Sequence, residues 1–461
     1  MRLQIPTIDE RRKDNTVREH FGSRFGFIMA AAGAAVGLGN IWGFPTQAAS
    51  NGGGAFLVAY LMLVLVLAFP MLVMEVAIGR YGQANPVDSV RKLGRSRGQK
   101  AMASLVGYAG MLVPSLVLSF YAIVAGWLLA FLAAAVTRML GWEAATGWLQ
   151  GFGLSRNIVW TLVFYLLTIL VVQAGVRKGI ERWSARLMPA LFVLFLVLFA
   201  YILTQNGAME GLRHYLVPDF SKVLEPGLLI SAMGQAFFSL TIGGCSMLMY
   251  GSYLSKQESI PGTAFQVTLI DTGVAFLAGL VILPAMFVAM NNGVTIFAED
   301  GSLLSSDTLV FTVLPALFDT MGPVGLVMAL VFFVLMGIAA LTSSISMLEV
   351  PVSYTTERFK ASRPLVTWLL GGGLALFSVV ICLNFGALFG FVIRLSTQNL
   401  QPLVGLGFCL LGGWLWGRAK LFEELVQGSP ELASSLFWRI WPWYVRLVCP
   451  LLVLLVIGAS W

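Results

Sequence analysis

The run Gly33-Ala34-Ala35-Val36-Gly37-Leu38-Gly39-Asn40-Ile41-Trp42-Gly43-Phe44-Pro45 constrains this chain more than any other, because it lies inside a long apolar segment. Glycine, asparagine and proline all weaken a helix, and backbone groups left unpaired in lipid are expensive. A spanning segment tolerates such a break only where the freed carbonyls and amides line a buried cavity. The run therefore predicts an interrupted helix that binds an ion or a small solute. A kink used for close helix packing is the competing reading, but packing calls for neither Asn40 nor Pro45.

Composition places the segment in a membrane. Hydrophobic residues make up 58% of the 461, and charged residues 11%, against about 25% charged in soluble domains. Eleven apolar stretches approach the roughly 20 residues needed for a crossing. They lie near 24–48, 55–79, 102–135, 158–175, 185–204, 229–253, 264–291, 324–353, 364–384, 388–416 and 436–459. Residues 1–23 include Arg2, Arg11, Arg12, Lys13 and Arg18 without an apolar core or cleavage site. They read as a cytoplasmic tail, not a signal peptide. With that end inside, 22 of the 29 lysines and arginines fall in inner segments, and only Arg138, Arg156, Arg213 and Lys222 in outer loops. The bias predicts an inner (plasma) membrane protein with its N-terminus cytoplasmic and, after eleven crossings, its C-terminus outside. The net charge of +7 then reflects loops facing anionic lipid; no basic run interleaved with aromatics points to nucleic acid. Cys245, Cys382, Cys409 and Cys449 sit in apolar stretches without ligand-like spacing, and His20 and His214 suggest no metal site.

A second interruption follows five spans after the first. Gly234-Gln235-Ala236-Phe237-Phe238-Ser239-Leu240-Thr241-Ile242-Gly243-Gly244-Cys245-Ser246 puts polar and small residues where lipid-facing chain should be apolar. Interrupted spans at corresponding positions of two halves predict an all-α secondary transporter built as a 5+5 inverted repeat with broken helices 1 and 6. The implied division is a tail (1–23), a first five-helix repeat (24–204), an outer loop (205–228), a second repeat (229–416), and a cytoplasmic loop with the eleventh helix (417–461). Residues from Asp307 to Pro315 are expected to form a short amphipathic helix over a vestibule. No nucleophile–base pair or metal cluster suggests an enzyme.

The first break suits a zwitterion with cations. Amides near Leu38 and Gly39, at a half-helix N-terminus, attract a carboxylate. Carbonyls at Gly33, Ala35 and Val36, with the Asn40 side chain, offer oxygen to Na⁺. Several motifs extend the picture: Ala35 to Trp42 with Phe44-Pro45, Asn51-Gly-Gly-Gly-Ala-Phe56, Glu75 with Gly79-Arg80-Tyr81-Gly82, Gly234 to Phe238, and Leu341-Thr342-Ser343-Ser344. In order and spacing from about residue 18 to 416, they resemble the neurotransmitter:sodium symporter family in its bacterial, eleven-span LeuT-like branch.

That resemblance implies two sodium sites. One would use Ala35, Asn40, Ser239 and Asp271 together with the substrate carboxylate. The other would use Gly33, Val36, Ala339, Thr342 and Ser343, although serines and threonines in membrane helices more often bond back to the preceding turn. Substrate would contact Ala35, Gly37, Leu38, Gly39, Tyr121, Phe238, Ser239 and Thr241, with Val117, Gly244, Ser343 and Met347 completing the pocket. Monoamine carriers resemble this motif but place Asp at the position of Gly37, so Gly37 implies a substrate that brings its own carboxylate. Gly244 replaces a residue that is often bulky, which enlarges the pocket and favours a hydrophobic amino acid, large or aromatic.

Asp271 stands where relatives often have Asn, and an acid within a span is functional by default. Tyr60, Gln235 and Ser239 match part of the family's chloride site, but Ala275 replaces a serine. Asp271 is thus expected to supply the balancing charge, making chloride unnecessary. The outer gate departs from the family: Gly43 replaces an arginine, and Arg394 stands near the missing acidic partner. The inner gate would pair Arg18 with Glu357, supported by Tyr253 and Glu349. The expected activity is Na⁺-coupled uptake of a neutral amino acid; the altered outer gate also admits an amino-acid sensor that does not transport.

Overall fold

In the computed structural model, residues 20–296 and 309–459 are described, and every regular element among them is helical. In chain order the main helices are α1 (Arg24–Ala35), α2 (Gly39–Ser50), α3 (Gly54–Gly82), α4 (Arg97–Met139), α5 (Leu154–Val172), α6 (Val176–Ile202) and α7 (Ala208–Leu216). They continue with α8 (Pro226–Ser239), α9 (Ser246–Gly251), α10 (Ile260–Asn291), α11 (Leu309–Thr320), α12 (Gly322–Phe359), α13 (Arg363–Leu383), α14 (Phe385–Leu415), α15 (Arg418–Val426) and α16 (Leu436–Gly458).

Eight of these, among the described residues, are long and apolar enough to cross a bilayer unaided. Two bent pairs, α1 with α2 at 56° and α14 with α15 at 104°, raise the number to ten. The stretch expected as a span at 229–253 is not continuous. It divides into α8 and α9 around residues 240–245, and neither piece is long enough alone. Leucines such as Leu105, Leu196, Leu369 and Leu451 remain exposed on the long helices, as a lipid-facing surface requires.

Proline shapes the helices that matter most. A prolyl ring clashes with the carbonyl four residues back and has no N–H to give, and the preceding turn widens in response. Pro45, Pro70, Pro402 and Pro450 each follow a wide π turn, at Gly39–Gly43, Val64–Ala68, Arg394–Leu400 and Tyr444–Val448. The two breaks sit at the centre of the bundle. α1 is buried over most of its length and packs against α6, α9, α10 and α12, while α8 lies on α3. The expected helix from Asp307 exists as α11; its first two residues lie outside the described ones. Phe311 meets Trp42 and Trp127 edge-on at 6.1 and 5.6 Å.

Candidate functional site

The first break is residues 36–38. α1 stops when Val36 turns extended (φ −66°, ψ 113°), its N–H closing on the Ala32 carbonyl at 2.7 Å. The chain re-enters a helix at Gly39, with the Asn40 and Ile41 N–H groups both donating to the Gly37 carbonyl (3.2 and 3.3 Å). Asn40 folds back to cap the new helix: its Oδ1 accepts from the Gly37 N–H at 3.1 Å. The Leu38 N–H points at the Tyr121 hydroxyl, 3.3 Å away. An amide and a hydroxyl at a helix N-terminus make a ready anion-binding pair. Gly37 is required sterically, since a Cβ there would lie 2.6 Å from Ser343 Oγ and 3.0 Å from the Tyr121 hydroxyl.

The second break is held in strain. Thr241 and Cys245 take positive φ (51° and 57°), and Gly243 sits at φ 83° with its Cα against the Gln401 carbonyl. Side-chain-bearing residues tolerate that region only where surroundings over-determine it. Here the Gly243 N–H donates to Glu75 at 2.5 Å, and local turns satisfy the Thr241, Ile242 and Gly244 amides.

The two breaks enclose one cavity. It is lined by all twelve residues expected around the substrate: Ala35, Gly37, Leu38, Gly39, Val117, Tyr121, Phe238, Ser239, Thr241, Gly244, Ser343 and Met347. Val113, Pro114, Ser246 and Gln401 also line it, and sequence reasoning missed them. A signal existed for Gln401, which ends the polar run from Ser396 within an apolar stretch. Above the cavity a vestibule is lined by Trp42, Gly43, Thr46, Gln47, Phe120 and Val124. Leu38, Gly39, Tyr121 and Phe238 line both spaces and form the partition between them.

Beside the cavity, Asn40, Ser239 and Asp271 form a closed polar cluster. Asn40 Nδ2 donates to Asp271 Oδ1 at 2.7 Å and to Ser239 Oγ at 2.8 Å, and the Ser239 hydroxyl donates to Asp271 Oδ2 at 2.7 Å. The Tyr60 hydroxyl reaches Ser239 at 3.3 Å. Asp271 is fully buried, and no basic residue pairs with it among the described residues. A buried carboxylate with only neutral partners is ill-compensated, so this oxygen-rich cluster suits a hard cation. Gln235 turns away, donating to the Gly39 carbonyl at 2.9 Å.

The other expected cation set also converges. The Ser343 hydroxyl lies 2.8 Å from the Val36 carbonyl and 3.3 Å from that of Gly33. Thr342 instead bonds back to Ile338 and Ala339, both at 3.1 Å, while its Cβ packs against Gly33. Thr342 thus shows the commoner fate of a helical threonine, and Ser343 does not.

The gate residues are less united. The Tyr253 hydroxyl donates to Glu349 at 2.7 Å, and Glu349 also forms an ion pair with Arg363, which the sequence had not singled out. Glu357 accepts from the Asn85 backbone and side chain at 2.9 and 3.0 Å. Its expected partner, Arg18, lies outside the described residues. Arg394 is exposed and has no ion pair among the described residues, and it lines neither cavity nor vestibule.

Comparison with known proteins gives a consistent result. The sequence pattern of the Sodium:neurotransmitter symporter family matches residues 18–151 and 146–461. An uncharacterized sodium-dependent transporter of Bacillus subtilis, YhdH, is 37% identical over 454 residues, covering 95% of this chain and 96% of that protein. An uncharacterized sodium-dependent transporter of Haemophilus influenzae is 30% identical, covering 96% and 98%. Among solved structures, that of MhsT in complex with L-phenylalanine superposes with a TM-score of 0.82 at 35% identity, covering 96% of this chain and all of that one.

Proposed function

Because this chain belongs to the Sodium:neurotransmitter symporter family, we propose that it couples Na⁺ entry to uptake of a neutral, hydrophobic amino acid. The observation that carries this reading is the Asn40–Ser239–Asp271 cluster beside a cavity that two broken helices enclose. The substrate carboxylate would bridge the Leu38 N–H and the Tyr121 hydroxyl, which already face each other. Its amine would meet the Thr241 hydroxyl, a buried group with no hydrogen-bond partner among the described residues. With Gly37 in place of an acid, the site has no side-chain carboxylate for a monoamine beyond Asp271.

Coupling would arise because the substrate carboxylate completes the shell of the ion held by Ala35, Asn40, Ser239 and Asp271. Each ligand then raises the affinity of the other by the same factor. For a cation to enter, Asn40 must turn its amide oxygen away from the Gly37 N–H and towards the cluster, so ion binding reorganises the substrate's own binding turn. A second Na⁺ would use Gly33, Val36, Ala339, Thr342 and Ser343. Asp271 supplies a fixed negative charge one helical turn from Ala275, and chloride would not be needed. Transport would proceed with the N-terminus cytoplasmic, the two broken helices rocking against the rest of the bundle. The L-phenylalanine in the MhsT structure supports a hydrophobic substrate.

The test is uptake into proteoliposomes under an inward Na⁺ gradient, with a panel of labelled amino acids and K⁺ in place of Na⁺ as control. Accumulation that requires Na⁺ supports symport. Sodium-dependent binding without accumulation would favour the sensor, and absence of both would overturn the reading.

A further inference from the structure

Where α14 bends into α15, a pocket of about 180 Å³ opens between that bend and the first turns of α16. Two arginines, Arg418 and Arg446, line it, and no acid does. Neither guanidinium has an ion pair or a hydrogen bond among the described residues. Indole rings brace them instead. Arg446 lies 3.8 Å from the Trp414 ring centre and Arg418 lies 5.5 Å from that of Trp438, while Trp443 serves both at 5.5 and 5.8 Å. A ring stacked on a guanidinium face leaves the N–H edge free to grip an oxyanion at two points. A third guanidinium, of Arg95, reaches the rim at Gly417, where a Cβ would lie 2.6 Å from its nitrogen.

Unpaired N–H donors add to these cations. α15 starts without a side-chain cap, and the N–H groups of residues 418–420 have no acceptor among the described residues. Such a helix N-terminus favours negative charge. Trp416 lines the same pocket at only 4% exposure, and its indole N–H is buried with no partner among the described residues. A buried donor lacking an acceptor is unfavourable, so the pocket is complementary to an anion. The neighbouring surface decides between a soluble phosphate and a lipid. Trp443, Leu447, Leu451 and Leu455 recur every four residues along α16, each at least 48% exposed. They make one apolar strip that runs from the arginines as acyl chains run from a headgroup.

We propose that this pocket binds the phosphodiester headgroup of an anionic phospholipid, whose acyl chains lie along the α16 strip. Arg418 and Arg446 hold the phosphate oxygens, and the Trp416 indole donates to one of them. The site shares no residue with the substrate cavity, and the inference does not depend on the symport reading. A choline or ethanolamine headgroup brings its own cation against the arginines and is disfavoured. Charge-assisted arginine–phosphate bonds are about twice as strong as neutral ones. They make an anionic headgroup about tenfold or more tighter than a zwitterionic one.

The experiment is equilibrium binding to the purified full chain in neutral detergent without Na⁺. The probes are short-chain phosphatidylglycerol, phosphatidylcholine of the same chain length, and glycerol phosphate. Wild type is compared with Arg418→Gln/Arg446→Gln and with Arg97→Gln/Lys100→Gln, which removes two exposed charges outside the pocket. Phosphatidylglycerol should bind wild type about tenfold or more tighter than phosphatidylcholine. That ratio should approach one in the pocket variant and hold in the other. The single variant Arg446→Lys keeps a cation over Trp414 but loses the two-point grip. It should lower the ratio severalfold without shifting the lipid-free thermal midpoint, which separates binding from folding. A wild-type ratio near one, an unchanged ratio in both pocket variants, or equal loss in the two double variants would overturn the proposal. Glycerol phosphate binding as tightly as the lipid, with the same arginine dependence, would overturn the lipid assignment and show a site for a soluble phosphate ester.

Discussion

Adding one methyl group at Gly37 tests the site's geometry most directly. In Gly37→Ala the new Cβ would lie 2.6 Å from Ser343 Oγ and 3.0 Å from the Tyr121 hydroxyl, both closer than van der Waals contact allows. Tyr121 cannot retreat freely, because its hydroxyl faces the Leu38 N–H and its ring is buried. Ser343 must therefore swing, breaking its 2.8 Å bond to the Val36 carbonyl. Overpacking of this kind costs about 1–3 kcal/mol, and the lost hydrogen bond adds about 1 kcal/mol. At about 1.4 kcal/mol per decade, the sum of about 2–4 kcal/mol weakens substrate and Na⁺ binding by roughly 30- to 1,000-fold. The assay is sodium-dependent binding of a labelled substrate, with thermal unfolding measured in parallel. Gly372→Ala is the control: a Cβ there meets nothing within 4 Å, and a helix-interior alanine stabilises by about 0.5–1 kcal/mol relative to glycine. Binding by Gly37→Ala within threefold of wild type would refute the steric argument and with it the shared wall between Ser343 and the substrate turn.

Two further substitutions probe other parts of the molecule. Asp271→Asn removes the cluster's only formal charge; two unit charges at about 4 Å and an effective dielectric near 20 interact by about 4 kcal/mol. Apparent Na⁺ affinity should fall by at least about 100-fold in chloride-free medium and recover in part when chloride is restored, read as uptake with gluconate replacing chloride. Wild-type uptake that depends on chloride, and still does so in Asp271→Asn, would refute the charge assignment. Elsewhere in the bundle, Glu424 of α15 holds two cations, Arg80 at 2.7 Å and Lys256 at 2.8 Å, with the Arg80 side chain fully buried and that of Glu424 only 4% exposed. Glu424→Ala strands a buried guanidinium, which costs about 3–5 kcal/mol, and should lower the thermal midpoint markedly. An unchanged midpoint would show that water or another acid takes over the pairing.

Much of the site was legible because backbone rules act locally. Glycines at 33, 37 and 39 with Pro45 cannot continue a regular helix, and the break at 36–38 follows almost directly. The second break was equally readable from Gly243 and Gly244, but its division of α8 from α9 over six residues was not. That length depends on Glu75, a residue far off in sequence, accepting the Gly243 N–H. Partnerships across the bundle were harder to foresee. Glu349 pairs with Arg363, and Thr342 spends its hydroxyl on its own helix while its neighbour Ser343 reaches α1. Both outcomes turn on which face of a helix meets which neighbour.

By itself, the sequence determined that this chain lies in a membrane, that its spans are helical, where two of them break, and which side chains are polar at those breaks. These properties follow from hydropathy and backbone conformation, which each short segment carries alone. Tertiary structure decided which polar groups meet and which stay unpaired. Asn40, Ser239 and Asp271 come from three separate helices and become one cluster only when those helices pack. Gln401 entered the cavity for the same reason: α14 is wound wide before Pro402 and packs on a glycine that has no side chain to hold it off. A hydrogen bond is decided over about 3 Å, and only packing brings residues hundreds of positions apart to within that distance.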